Sequence, residues 1–198
     1  MPRLFRPLLF FAGLLTLMTG AGGQEVGPDW WGRLAVRDLT GAPLPLPLAG
    51  RWVVLVFLSP ECPVANAEIP VLNQLAAEFT PRGFGFVGAY ADPALALPVL
   101  RRHAADYHLG FATADDRAQR LVRATGAAFT PEVFVFSRAG MLLYRGRIDD
   151  GVKDFGGARS AAAHEDLREV LAALAAGQPG PFARRPGFGC AIPEPVRR

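Results

Sequence analysis

The sequence predicts an α/β fold, with a central mixed β-sheet and helices on both of its faces. Three observations lead there. Trp52-Val53-Val54-Leu55-Val56-Phe57 is β-branched and aromatic without alternation, as in a strand buried on both faces. Ile69, Leu72, Leu75, Ala76 and Phe79 then recur at helical spacing. Further on, Glu132 to Phe136 and Met141 to Ile148 straddle the turn Ser137-Arg138-Ala139-Gly140, a hairpin pattern. At 198 residues and 51% hydrophobic content, the chain can bury one sizeable core and is not a disordered polymer.

In order along the chain, residues 1–23 read as a secretory signal. Arg3 and Arg6 form a basic start, Pro7 to Met18 an apolar stretch, and Thr19-Gly20-Ala21-Gly22-Gly23 a small-residue cleavage zone. About a dozen apolar residues fall short of the roughly 20 that span a bilayer, so no stable membrane insertion is expected after its removal. Leu34 to Leu39 alternates in polarity and predicts a short leading strand or hairpin. The buried strand follows at Arg51 to Leu58, and a helix at Pro63 to Phe79, where Pro63 suits the first turn and Pro70 is expected to introduce a kink. Phe84 to Tyr90 is a second strand, Ala94 to His108 a helical segment interrupted by Pro98, Phe111 to Thr113 a short extended piece and Asp116 to Thr125 a third helix. After the hairpin, Ala161 to Ala176 is helical through Leu167, Val170, Leu171 and Leu174, with Gly177 as its stop. The expected organisation is a signal at 1–23, one domain at 24–178, and a Pro/Gly-rich tail at 179–198.

The formal charge of +3 falls close to neutrality once Arg3 and Arg6 are removed. The remaining cations are scattered, with pairs at Arg184-Arg185 and Arg197-Arg198, so no nucleic-acid partner is expected. Export places the chain in a periplasm or outside the cell, where disulfides persist, and its two cysteines are Cys62 and Cys190.

Cys62 lies where the apolar strand ends and the helix begins. There a thiol meets unpaired backbone N–H groups and the positive end of the helix dipole, which favour thiolate. Moving a thiol pKa from ~8.5 to ~6 raises the thiolate fraction at neutral pH from a few per cent to roughly nine-tenths. Neighbouring groups are less telling. Glu61 reads as an exposed helix-start carboxylate and Asn66 as a solvated surface amide. Arg145 and Arg147 share parity on an edge strand and read as surface cations. His103, His108 and His164 lack compact ligand spacing.

The element order, with Ser59-Pro60-Glu61-Cys62-Pro63-Val64-Ala65-Asn66, Thr130-Pro131-Glu132-Val133-Phe134-Val135 and Tyr144-Arg145-Gly146-Arg147-Ile148-Asp149-Asp150, resembles the thioredoxin-like superfamily. Within it, the chain is similar to secreted redoxin-domain proteins of the alkyl hydroperoxide reductase/thiol-specific antioxidant type. The resemblance spans roughly residues 28–176 and implies a thioredoxin-like fold. It implies a cis peptide at Thr130-Pro131 facing Cys62, with the Thr130 backbone open to an extended substrate. It also implies that Ser59, three residues before Cys62, can hydrogen-bond a peroxide.

The departures are as informative. Ala65 stands where dithiol relatives carry a second cysteine, so a local exchange cycle is ruled out. Leu55 stands where the peroxidatic motif has proline. Phe188-Gly189-Cys190-Ala191-Ile192 resembles the Gly-Cys-x-Ile tail of some secreted redoxin-like proteins, and Cys190 is left open as a resolving thiol, a structural staple or an unpaired residue. The expected activity is that of an exported thiol-dependent oxidoreductase in which the Cys62 thiolate reduces a peroxide or a protein disulfide and an unidentified thiol serves as reductant. Cys62, Ser59, Thr130 and Pro131 would form its site, without a cofactor or bound metal. Disulfide exchange through Cys62 and Cys190, or a non-catalytic redox or copper-binding module, are the alternatives.

Overall fold

In a computed structural model, residues 30–156 and 158–194 are described; the expected signal at 1–23 lies outside them. The chain begins with a 3-10 turn at Trp30–Arg33, then β1 (Arg37–Asp38), β2 (Trp52–Leu58), α1 (Pro63–Phe79), β3 (Phe84–Tyr90), α2 (Leu97–Asp106) and β4 (Ala112–Asp115). It continues with α3 (Arg120–Thr125), β5 (Phe129–Thr130), β6 (Val133–Ser137), β7 (Leu142–Gly146), α4 (Asp166–Ala175) and β8 (Cys190–Ala191).

Six strands form one sheet in the order β1-β4-β3-β2-β6-β7, and β5 pairs with β8 separately. β2 runs parallel to β3 and antiparallel to β6, so the expected mixed sheet is present, with β2 near its middle. Alternate residues of β2 serve two cores, which is why all seven are buried. Val54, Val56 and Leu58 face Leu72, Leu75 and Phe79 of α1, with Leu100 of α2 and Leu167 and Leu171 of α4. Val53, Leu55 and Phe57 face Trp30, Trp31, Phe134, Phe136 and Leu121 of α3. Helices therefore cover both faces.

Local differences from the sequence reading have identifiable causes. The two tryptophans stack on each other in the 3-10 turn and meet Phe136 edge-on rather than entering a hairpin, and β1 pairs with β4 at the sheet edge. Pro98 does not interrupt a helix; it sits in the first turn of α2, where its missing N–H costs nothing. α3 starts at Arg120 because the Asp116 carboxylate accepts from the N–H groups of Leu121 and Val122, capping the helix from outside it. α4 begins at Asp166, not Ala161, and α1 is a single 17-residue helix containing Pro70.

Candidate active site

The β2–α1 junction builds the site. β2 ends at Leu58, the Ser59 hydroxyl accepts from the Glu61 N–H at 3.3 Å, and the Cys62 N–H bonds the Ser59 carbonyl at 3.2 Å. This tight turn delivers Cys62 to the N-cap of α1, where Sγ accepts from the Ala65 N–H at 3.4 Å. The cysteine takes the capping role usually filled by serine or aspartate, so the helix start acts directly on the sulfur.

Across from it, the Thr130–Pro131 peptide is cis, and the Cys62 thiol donates to the Thr130 carbonyl at 3.1 Å. Cys190 arrives on the tail. Thr130 and Cys190 are register partners in the β5–β8 pair, the Thr130 hydroxyl donates to the Cys190 carbonyl at 3.4 Å, and the Ile192 N–H bonds Ala128. Both cysteines are free thiols in the structure. Cys62, Thr130, Pro131 and Cys190 are thus brought together, and Ser59 shares a cleft of about 180 Å³ with Thr130 and Cys190.

The two thiols are driven apart in acidity. Burial pushes the Cys62 thiol up, but hydrogen bonds from the Cys190 and Thr130 side chains and from the Ala65 N–H outweigh it and hold the thiol below its ordinary value. Cys190 is pushed up to about 12 by burial, by its hydrogen bond to Cys62 and by the charge on Cys62. When one proton leaves the pair it leaves from Cys62, and Cys190 remains the donor. The Thr130 carbonyl opposes this by favouring protonated Cys62, yet the donors prevail.

Three expectations are corrected. Asn66 is not a solvated amide: it donates to the Pro60 carbonyl at 2.9 Å and contacts His103 Nε2 at 2.9 Å, while His103 Nδ1 meets the Tyr90 hydroxyl at 2.7 Å. This chain ties the Cys62 turn to α2 and β3, and burial holds His103 below its ordinary value, hence neutral. Arg145 and Arg147 are not free surface cations. Arg145 bonds the fully buried Glu132 at 2.6 Å and Arg147 bonds Asp166 of α4 at 2.6 Å. Glu61 is exposed, as expected.

Two residues escaped the sequence reading. Glu68 is buried on α1 and shares Arg159 with Asp149. Burial and the Asp149 charge, against the pull of Arg159, raise it to about 7. Its signal was a carboxylate on an apolar stripe, four residues from both Val64 and Leu72. It lines a second cleft, of about 400 Å³, with Val64, Pro131 and the tail residues Pro186 to Phe188. Gln119, with φ 54°, is 3% exposed, and its amide bonds the carbonyls of Ala91 and Pro193 at 3.1 and 2.5 Å. Nothing in its sequence context marked it. Among the described residues, no group of three or more His, Cys, Asp or Glu side chains gathers as a metal site, and no helix is long and apolar enough to cross a membrane.

Comparison with known proteins places this geometry. An uncharacterized conserved protein from Geobacillus kaustophilus superposes with a TM-score of 0.75 at 25% identity, covering 89% of this chain and 93% of that one. A secreted Mycobacterium tuberculosis disulfide oxidoreductase homologous to E. coli DsbE gives 0.55 at 25% identity, covering 73% and 98%. Peroxiredoxin Q from Xanthomonas campestris gives 0.56 at 22% identity, covering 77% and 96%, a likeness of fold. No curated protein sequence matches the chain. The AhpC/TSA family model matches residues 41–145, the span that carries β2, Cys62, the cis Thr130–Pro131 peptide and the hairpin, and the chain belongs to that family of thioredoxin-like fold.

Proposed function

We propose that the protein is an exported thiol-dependent oxidoreductase in which Cys62 reduces a hydroperoxide and Cys190 resolves the product. The observation that carries this reading is geometric: Cys62 caps α1 and donates to the Thr130 carbonyl at 3.1 Å, and the β5–β8 pair sets Cys190 opposite Thr130; the opposed acidity of the two thiols, one lowered and one raised, agrees with it. The Cys62 thiolate attacks the terminal peroxide oxygen. The O–O bond breaks, Cys62 becomes a sulfenic acid, and the departing alkoxide takes a proton to leave as alcohol. The Cys190 thiol then attacks the sulfenic sulfur. A Cys62–Cys190 disulfide forms, water leaves, and an external thiol pair restores both cysteines while becoming a disulfide itself. Ser59, beside the cleft, and the N–H groups of the first turn of α1 polarise the peroxide. Thr130 and Pro131 form the opposite wall. Export is supported by the signal-like residues 1–23 and by the likeness to a secreted oxidoreductase.

A second reading, disulfide exchange through the same cysteines, draws on the backbone of Thr130, which pairs with an extended strand beside Cys62. Mass spectrometry after one equivalent of peroxide separates the two. The peroxidase reading expects a Cys62–Cys190 disulfide in the native protein and a Cys62 sulfenic acid in Cys190→Ser. Peroxide consumption that persists in Cys62→Ser would sink it.

A further inference from the structure

The tail does more than bring in a second thiol. Residues 186–188 line one cleft and residues 190–193 the other, and Cys62, bonded to the Thr130 carbonyl opposite Cys190, is 0% exposed. The tail is fastened on both sides of Cys190, at Arg185 and at Pro193. The Arg147 N–H bonds the Arg185 carbonyl at 2.9 Å, Gly146 bridges Arg185, and the Gln119 amide holds Pro193. Between these anchors Gly189 lies so close to Thr130 that an added Cβ would run into its carbonyl oxygen and carbon. The edge of β5 beside the cis peptide is therefore already occupied by the chain's own strand, in the manner of β-strand addition.

We infer that Gln119 is a specificity-determining positioning residue. It latches the tail over Cys62 and so restricts this thiol to small oxidants, excluding protein disulfides that would need the β5 edge. This deepens the proposed chemistry of Cys62 and rests on it. Two features single out Gln119. It is a non-glycine residue in the left-handed region, a backbone conformation with a steric cost, and its buried side chain spans two carbonyls, one on the loop after β3 and one on the tail. A buried amide donating to both fixes their separation.

The test uses the full chain with Cys190→Ser, so that Cys62 is the single thiol read. Its alkylation rate is measured with iodoacetamide and with a maleimide carrying a polymer of about 5 kDa. In Gln119→Gly, which keeps the left-handed backbone and removes the amide, the bulky reagent is expected to gain up to about tenfold relative to iodoacetamide, the scale of one lost buried hydrogen bond. Gly189→Val, which acts on the tail alone, should open Cys62 at least as far. In the Cys190-containing forms, the same substitutions should raise reduction of a disulfide-linked peptide pair relative to hydroperoxide. A bulky-to-small ratio unchanged in Gln119→Gly overturns the role of Gln119, whatever Gly189→Val does, and one unchanged in both variants overturns the shielding by the tail as well. Unlatching with no peroxide reduction in any form leaves the latch standing and removes the peroxidase reading.

Discussion

Two residues of one chemical type end with opposite acidities because their neighbours differ. Cys62 caps a helix and receives donors; Cys190 supplies one of them and faces the resulting charge. Replacing Cys190 by alanine removes a donor from Cys62 without adding a charge. The apparent pKa of Cys62, read from alkylation rate against pH, is expected below the ordinary thiol value of ~8.5 in the native protein and higher in Cys190→Ala. An unchanged midpoint would assign the depression to the Thr130 side chain and the helix start. The link to stability follows in sign: a thiol lowered on folding contributes above its unfolded pKa, and that contribution is lost as pH falls through the folded pKa. How far the site could be read in advance is clearest at this scale. Cys62 was legible because a strand-to-helix junction is local, whereas Thr130-Pro131 was reached only through the family resemblance. Asn66, Gln119 and the ion pairs of Arg145 and Arg147 were not, because their partners lie on distant segments, as Pro193 is from Gln119.

At the scale of elements, β2, β3 and α1 were read almost to their ends, since the strands are continuous apolar runs, the helix carries an apolar stripe, and each ends at its own breaker. The strand β8 was hidden for the opposite reason: two residues in a Pro/Gly-rich tail have no periodicity, and only pairing with β5 extends them. α1 also carries a conflict between pattern and charge. Glu68 occupies a core position and is held by Arg159, fastening the 149–160 loop to the helix. Its folded pKa of about 7 stands above the ordinary carboxyl value of 4.5. Between those two values the unfolded chain has released the proton and the folded chain retains it, so folding stability falls as pH rises through that window, by roughly 3 kcal/mol at most. Denaturant unfolding of the native protein and Glu68→Gln at pH 4.5 and pH 7.5 checks this. The native protein is expected to lose stability across the interval, and the glutamine variant to lose most of that dependence. Equal slopes would mean that Arg159 keeps Glu68 ionised throughout.

For the whole molecule, the tail turns a sheet-and-helix domain into a closed circuit. It leaves α4, returns along Gly146 and Arg147, passes beside Thr130 and Cys62, and is held at Pro193 by Gln119. Oxidation would convert this contact into a covalent link closing a loop of well over a hundred residues, from Cys62 to Cys190. In the chain-entropy model such a loop stabilises by ~4 to 5 kcal/mol, because the unfolded chain loses the freedom to separate its ends. Thr130 is the register partner of Cys190 and accepts from the Cys62 thiol, so the native fold already holds both cysteines against one residue. Guanidinium unfolding after one equivalent of peroxide is therefore expected at a markedly higher midpoint than in dithiothreitol, with the difference absent in Cys190→Ser. If the oxidised protein is no more stable than the reduced one, the folded domain strains against the bond. That strain would make the disulfide easier to reduce, as rapid turnover by an external thiol demands, and would favour a catalytic link over a structural staple.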